Sequence, residues 1–266
     1  MIVIKFGGHA MRDSKGLFAR AVQSALDTGE QCIIVHGGGP QIDAALQAAN
    51  LGSSYLGGFR ITPAETFEVV QRVLSGEVLR NLVAQLRDVG INAAGLTGRD
   101  GGLLIGRRLR QLVDGTAVDL GQVGEVVRVD TAILDALLGA GFLPVVSPIA
   151  TEGDEVEEFS TSGLNVNADL AAAAIAGAMA ADTLIFMTDV AGIYRNWPDR
   201  TSLISAITAA ELDAIKAEFS EGMAPKVLAC LNAISSGAGA VRVIDGKDPA
   251  AFARALGGYG GTLVSA

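Results

Sequence analysis

Short runs of β-branched residues alternate with helical hydrophobic spacing along almost the whole chain, which predicts βαβ units wound into a mainly parallel sheet. Ile2 to Phe6 reads as a first strand, broken by Gly7-Gly8. Leu17, Ala21, Val22 and Ala25 then recur at helical intervals up to Gly29. Residues 32–35 form a second strand, followed by Gly37-Gly38-Gly39-Pro40 and a helix carrying Ile42, Ala45, Leu46 and Ala49. A longer helix runs over residues 63–86, opening on Pro63. Further on, helices are expected over 131–138, after Asn165, and over 209–218 and 225–234, with strands over 142–149, 182–190 and 240–244 and a final edge at 261–264. Between 55 and 61, and again between 101 and 129, glycines punctuate alternating stretches that read as hairpins layered on the sheet, suited to a lid.

Glycine is the compositional outlier, with 34 copies in 266 residues, nearly twice the usual share of about 7%. Its pairs and triplets sit at strand ends, where backbone can approach a ligand. Half of the residues are hydrophobic and 18% are charged, which excludes disordered, collagen-like and disulfide-scaffold classes. Net charge is −9, and no basic run exceeds Arg107-Arg108, so a nucleic-acid partner is not expected. Cys32 and Cys230 lie in apolar segments without metal-binding spacing, which suits a reduced cytoplasm. Lys5 comes too early for a signal peptide, and the alanine-rich stretch 171–181 falls short of the roughly 20 residues a bilayer requires, so no membrane association is expected.

Two turns stand out as candidate chemistry. Lys5-Phe6-Gly7-Gly8 and His36-Gly37-Gly38-Gly39 each follow a strand and precede a helix, the arrangement in which backbone N–H groups attract phosphate. Neither matches G-x-x-x-x-G-K-[ST] or G-x-G-x-x-G, and either could be an ordinary tight turn. Lys5 closes an apolar strand, so its ammonium emerges at the carboxyl edge of the sheet or snorkels to the surface. Lys226 falls in the first turn of a helix, where the helix dipole disfavours a cation unless an anion joins it. Asn165, Asn167 and Asp169 precede an alanine-rich helix, exceeding what one cap requires. Arg60 stands among apolar and glycine neighbours, either as a grip for a carboxylate or as a surface residue. Asp189 ends a strand at the edge where open α/β sheets place ligands. No serine elbow or His-Glu-x-x-His occurs, and His9 and His36 are the only imidazoles. Phosphoryl transfer to a carboxylate needs positioning and positive charge rather than a histidine base.

The ordered segments KFGG, HGGGPQID, GFRITP, GLTGRDG, GEVVRVD, PVVSPIA, NVNADLAAAAIAGA, LIFMTDVAGIY and GMAPKVLACLNA resemble the amino acid kinase family, and within it the enzymes that phosphorylate N-acetylglutamate. The resemblance spans residues 1 to about 246. It implies one domain over 1–266, an open three-layer αβα sandwich with a β-hairpin lid, an acyl-substrate lobe over about 1–175 and an ATP lobe over about 176–266. It implies ATP-dependent phosphorylation of the γ-carboxylate of N-acetyl-L-glutamate in arginine biosynthesis, with Mg2+ carried on the ATP phosphates rather than in a protein metal site.

Carried over motif by motif, Lys5 and Lys226 would stabilise the in-line transition state from opposite sides, with Asp169 orienting both. Gly38 and Gly39 would face the substrate and phosphoryl group, and Gly7, Gly8 and Gly37 the phosphates of ATP. Arg60 would hold the α-carboxylate with Asn165 and Asn167 nearby, and Thr188, Asp189, Gly222 and Met223 would border the nucleotide. Arginine-inhibited relatives carry an extra helix before the first strand and a histidine-bearing carboxyl-terminal stretch; here the strand begins at Ile2 and residues 248–254 read DPAAFAR, implying an arginine-insensitive homodimer. Alternatives are a kinase for carrier-bound aminoadipate or glutamate, or a non-catalytic sensor on the same fold. The acidic stretch 152–158 and the net charge would repel an acidic carrier.

Overall fold

A computed structural model describes residues 1–7, 16–112, 115–153, 162–219, 223–248 and 250–266. Its strands are β1 (Ile2–Phe6), β2 (Cys32–His36), β3 (Tyr55–Leu56), β4 (Phe59–Arg60), β5 (Ala93–Thr97), β6 (Leu104–Arg108), β7 (Val123–Val129), β8 (Leu143–Ser147), β9 (Ile149–Glu152), β10 (Gly163–Val166), β11 (Thr183–Thr188), β12 (Ala206–Thr208), β13 (Ala240–Asp245) and β14 (Thr262–Ser265). Its α-helices are α1 (Leu17–Asp27), α2 (Gly39–Ala48), α3 (Ala64–Gln71), α4 (Leu79–Asp88), α5 (Ala132–Gly139), α6 (Ala168–Ala178), α7 (Ala209–Ala214), α8 (Ala224–Ser235) and α9 (Ala251–Leu256). Among the described residues no helix is long and apolar enough to cross a membrane.

Eight strands form one continuous sheet in the order β12-β14-β13-β11-β1-β2-β8-β5, parallel throughout except where β14 runs against β13. Alternation along each central strand sorts its side chains between two cores. Val3, Val35, Phe186 and Val243 face a layer that includes α6 and α8, whereas Ile4, Phe6, Ile34 and Ile185 face the layer of α1, α4 and α9. The result is the mainly parallel sheet that the alternating sequence pattern predicts, in the three-layer αβα sandwich that the family resemblance implies. β3 and β4 pair as a separate hairpin, and β6, β7, β9 and β10 close into a small ring of their own.

Four of the expected elements differ in the structure. The strand expected over 142–149 is two strands, because Pro148 has no N–H to continue the ladder and the chain turns from the main sheet into the ring. The segment 261–264 reads as the edge, but β14 lies inside the sheet and the three-residue β12 covers it. The long helix after Pro63 is interrupted over Arg72–Val78 by a π-helical stretch. The helix read over 209–218 ends at Ala214, and Lys216–Glu218 continue as a 3₁₀ turn.

Helix α6 reads ADLAAAAIAGA, and its small side chains admit α8 at close range. At Gly177 a Cβ would lie 2.2 Å from the Ser236 carbonyl oxygen. Backbone on both sides leaves no flexible atom to yield. Gly177→Ala is therefore expected to cost about 1–3 kcal/mol, the range for overpacking a filled interior. Thermal unfolding checks it, and an unchanged melting temperature would refute it.

Candidate active site

The neighbours β1 and β11 lie at the point where the chain switches from filling one side of the sheet to filling the other, the position at which open α/β sheets form a ligand crevice. Lys5 is the one polar residue of β1. It lies between Ile4 and Phe6, both in the other core, and so faces α6. Its Nζ sits 2.9 Å from Asp169 Oδ1. Asp169 is placed there by the α6 cap, in which Asn167 Oδ1 accepts from the N–H groups of Asp169 (2.8 Å) and Leu170 (3.3 Å). An acid in a first turn also suits the helix dipole.

Lys226 does not share that carboxylate. Its Nζ lies 3.2 Å from Asp189 Oδ1, and no contact with Asp169 falls within ion-pair range. Each lysine thus contacts its own carboxylate here, where the resemblance implied that Asp169 orients both. The reason is the α8 start: a lysine in a first turn without an acid of its own takes the nearest carboxylate, which the end of β11 presents. Thr188 shapes that end, its Oγ1 accepting from Val190 N–H (3.2 Å) while its carbonyl accepts from Gly246 N–H (2.7 Å). Burial pushes the Asp189 carboxyl up, but the ammonium groups of Lys226 and Lys247 outweigh it and hold the pKa below the ordinary value. Both pairs lie where the carboxyl ends of the neighbouring strands β1 and β11 meet the starts of the packed helices α6 and α8. Cys230, one turn beyond Lys226 on the same face of α8, has a thiol raised first by burial and then by the Asp169 charge.

The glycine turns press close to these groups. A Cβ on Gly7 would lie 2.9 Å from the Met187 carbonyl oxygen and 3.4 Å from Lys5 Nζ. A Cβ on Gly38 would meet Leu74 Cδ2 at 2.6 Å and Val78 Cγ2 at 3.3 Å. Both are side chains of the π-helical stretch, so its wide turn packs against the turn that starts α2. Gly39 has open space above its Cα.

A cavity of about 180 Å³ opens beside Gly37, Gly38 and Gly39. Ile42, Leu74, Val123 and Val166 supply apolar walls, with Arg60, Asn165 and Asn167 as polar points. Arg60 is buried rather than a surface residue. Its Nη1 donates to Asp43 Oδ1 (2.6 Å) and to Ser53 Oγ, and its Nη2 donates to the Tyr55 hydroxyl and to the Gly39 carbonyl (3.4 Å). The guanidinium stacks 4.7 Å from the Tyr55 ring centre. Arg60 in turn holds the Asp43 carboxyl below its usual pKa. Asn165 Nδ2 donates to Thr62 Oγ1 (3.1 Å), which donates to the Arg60 carbonyl (2.7 Å).

The structure thus gathers Lys5, Asp169, Lys226, Asp189, Gly7, Thr188 and the Gly37–Gly39 turn at one edge of the sheet, with Arg60, Asn165 and Asn167 around the adjoining cavity. Met223, expected beside the nucleotide, has its side chain in the core, with 1% of the residue exposed. Gly8, His9 and Gly222 lie outside the described residues. Of the acidic stretch 152–158, Glu152 pairs with Arg108, and residues 154–158 also lie outside them. Sequence reasoning missed Asp43, Ser53 and Tyr55 as partners of Arg60; the available signal was an acid one helical turn after the last glycine of the Gly37-Gly38-Gly39 turn.

Comparison with known proteins identifies the family. A profile described as the amino acid kinase family matches residues 1–245. The acetylglutamate kinase of Beutenbergia cavernae is 47% identical over 254 residues, covering 95% of this chain and 80% of that one. The acetylglutamate kinase of Streptomyces coelicolor is 44% identical over 248 residues, covering 92% and 79%. Among solved structures, smu.665 from Streptococcus mutans UA159 superposes with a TM-score of 0.79 at 26% identity, covering 99% of this chain and 98% of that one. With the profile spanning nearly its full length and relatives sharing close to half its residues, the chain belongs to the amino acid kinase family.

Proposed function

We propose that this protein transfers the γ-phosphoryl group of ATP to the γ-carboxylate of N-acetyl-L-glutamate, giving N-acetyl-L-glutamyl 5-phosphate and ADP in arginine biosynthesis. The observation that carries the reading is the pair of ammonium–carboxylate contacts, Lys5 with Asp169 and Lys226 with Asp189, beside an arginine-bearing cavity. The similarity to acetylglutamate kinases supplies the substrate.

A carboxylate oxygen attacks the γ-phosphorus as the bond to the β,γ-bridging oxygen breaks and ADP leaves with the electron pair. The acceptor is a side-chain carboxylate that titrates near pH 4 (about 4.3 for the parent glutamate), so it is ionised at neutral pH and needs no general base. His36 offers none: burial lowers its pKa to about 4, so it is neutral there. The two lysines counter charge spread over the transferred group, which is where most catalysis of phosphoryl transfer arises. Arg60 takes the α-carboxylate and the apolar walls take the acyl group, within an acyl-substrate half of about residues 1–175; nucleotide occupies the half from about 176. Asp169 and Asp189 are paired with lysines, and Mg2+ would enter as a companion of the ATP phosphates and neutralise part of their charge.

Supplying free acetylglutamate, aminoadipate, aspartate and glutamate with ATP and magnesium tests the assignment. Turnover is expected with acetylglutamate; activity confined to a carrier-bound acceptor would overturn it, as would binding without turnover. The same assay is expected to proceed undiminished in millimolar arginine, and sizing to return a homodimer. Arginine inhibition or a hexamer would contradict this part of the reading.

A further inference from the structure

His36 is the one wholly buried imidazole among the described residues, and phosphoryl transfer as derived above makes no use of it. Its Nδ1 lies 2.9 Å from the Gly37 carbonyl oxygen. A carbonyl can only accept, so Nδ1 carries the hydrogen. Nε2 is then a bare acceptor, and it is buried with no hydrogen-bond partner. A histidine kept solely for packing would bury a carbon in place of that nitrogen at lower cost. What the ring holds is more informative. The Gly37 carbonyl belongs to the same peptide unit as the Gly38 N–H, and that unit is trans, since the sole cis bond among the described residues is Trp197–Pro198. In a trans peptide C=O and N–H point in opposite directions. A donor fixed on the carbonyl therefore sets the direction of the N–H, and by polarising the amide makes that N–H a stronger donor. Gly38 lines the cavity and precedes the start of α2, and among the described residues its N–H reaches no acceptor.

We propose that His36 is a positioning residue which, through its Nδ1–H bond to the Gly37 carbonyl, aims and polarises the Gly38 N–H toward the transferring phosphoryl group. This rests on the reading of Gly38 as a donor in the proposed reaction. Beside the Cα of Gly38, the π-helical side chains of Leu74 and Val78 fill the space that a Cβ there would occupy. The peptide thus has a hydrogen bond at one end and close packing at the other. Burial serves the arrangement as well, because it keeps the imidazole neutral and adds no further charge beside the two ion pairs.

Amide substitutions separate the two ring nitrogens. His36→Asn puts an NH2 where Nδ1 stood, His36→Gln puts one where Nε2 stood, and His36→Leu offers none. Turnover by His36→Leu and His36→Gln is expected to fall about 10–100-fold, the range for losing the partner that orients a ligand-binding group. Michaelis constants should change little, and His36→Asn should recover most of the rate. The Gly38 amide proton shift, read by NMR without substrates, should move upfield in His36→Leu and His36→Gln and stay near its original position in His36→Asn. An unmoved shift in both variants without a donor at the Nδ1 position, or equal turnover in the asparagine and glutamine variants, would overturn the inference. Should wild-type protein leave acetylglutamate unphosphorylated, the functional reading fails while the amide shift still decides the role of His36.

Discussion

Lys5→Ala is expected to lower turnover by roughly 10²–10³, the cost of removing one preorganised group that meets developing charge. Two effects combine. The positive end that faces the transferring phosphoryl group disappears, and Asp169, whose Oδ1 had Lys5 Nζ at 2.9 Å, is left as an uncompensated anion in the path of an anionic nucleotide. The second effect can be separated from the first. Adding Asp169→Asn to Lys5→Ala should cost far less than Asp169→Asn alone, because residues that share one contact are non-additive. Lys226→Ala should show a loss of similar size coupled to Asp189 rather than to Asp169, since the two ion pairs are separate. Steady-state kinetics with saturating acetylglutamate and ATP measure all of these. A lysine variant that retains near-normal turnover would remove the electrostatic basis of the mechanism, and coupling of Lys226 to Asp169 instead of Asp189 would contradict the pairing.

Arg60→Ala should act on binding rather than on the chemical step. A hydrogen bond to a charged group contributes about 1.5–3 kcal/mol, or roughly 10–100-fold in the Michaelis constant for the acyl acceptor. The constant for ATP should hold. Arg60→Lys should rescue little, because four acceptors converge on the fork of the guanidinium and a single ammonium cannot satisfy Asp43, Ser53, Tyr55 and Gly39 in the same geometry. An unchanged acceptor constant in Arg60→Ala would show that the α-carboxylate is held elsewhere.

Where function depends on local order, the amino-acid sequence was informative. Lys5 ends an apolar strand, the glycine turns follow strands and precede helices, and Asn167 and Asp169 flank the start of α6. Each follows from strand periodicity, turn chemistry or capping within a few residues. Contacts across long separations left weaker traces. Nothing near Lys226 in the chain announces Asp189, and the partners of Arg60 are spread over α2 and the hairpin. The π-helical stretch was hidden because apolar spacing continues through it, and its packing of Leu74 and Val78 beside a glycine almost 40 residues earlier leaves no local trace. The two edges of the sheet, β5 and β12, were missed as well: a strand of three residues has almost no periodicity to detect, and AAGLT lacks the β-branched run that marks the central strands.

The tight passage of α6 beside α8 at Gly177 works as the rivet of a pair of tongs. Asp169 stands eight residues up one jaw, about 12 Å away at 1.5 Å per residue, and Lys226 stands near the tip of the other. Any wedge at the rivet opens the jaws, and a misplacement of about 1 Å at reacting groups can cost on the order of 10² in rate. A methyl group added at Gly177, eight residues from Asp169, is therefore expected to lower turnover as well as stability.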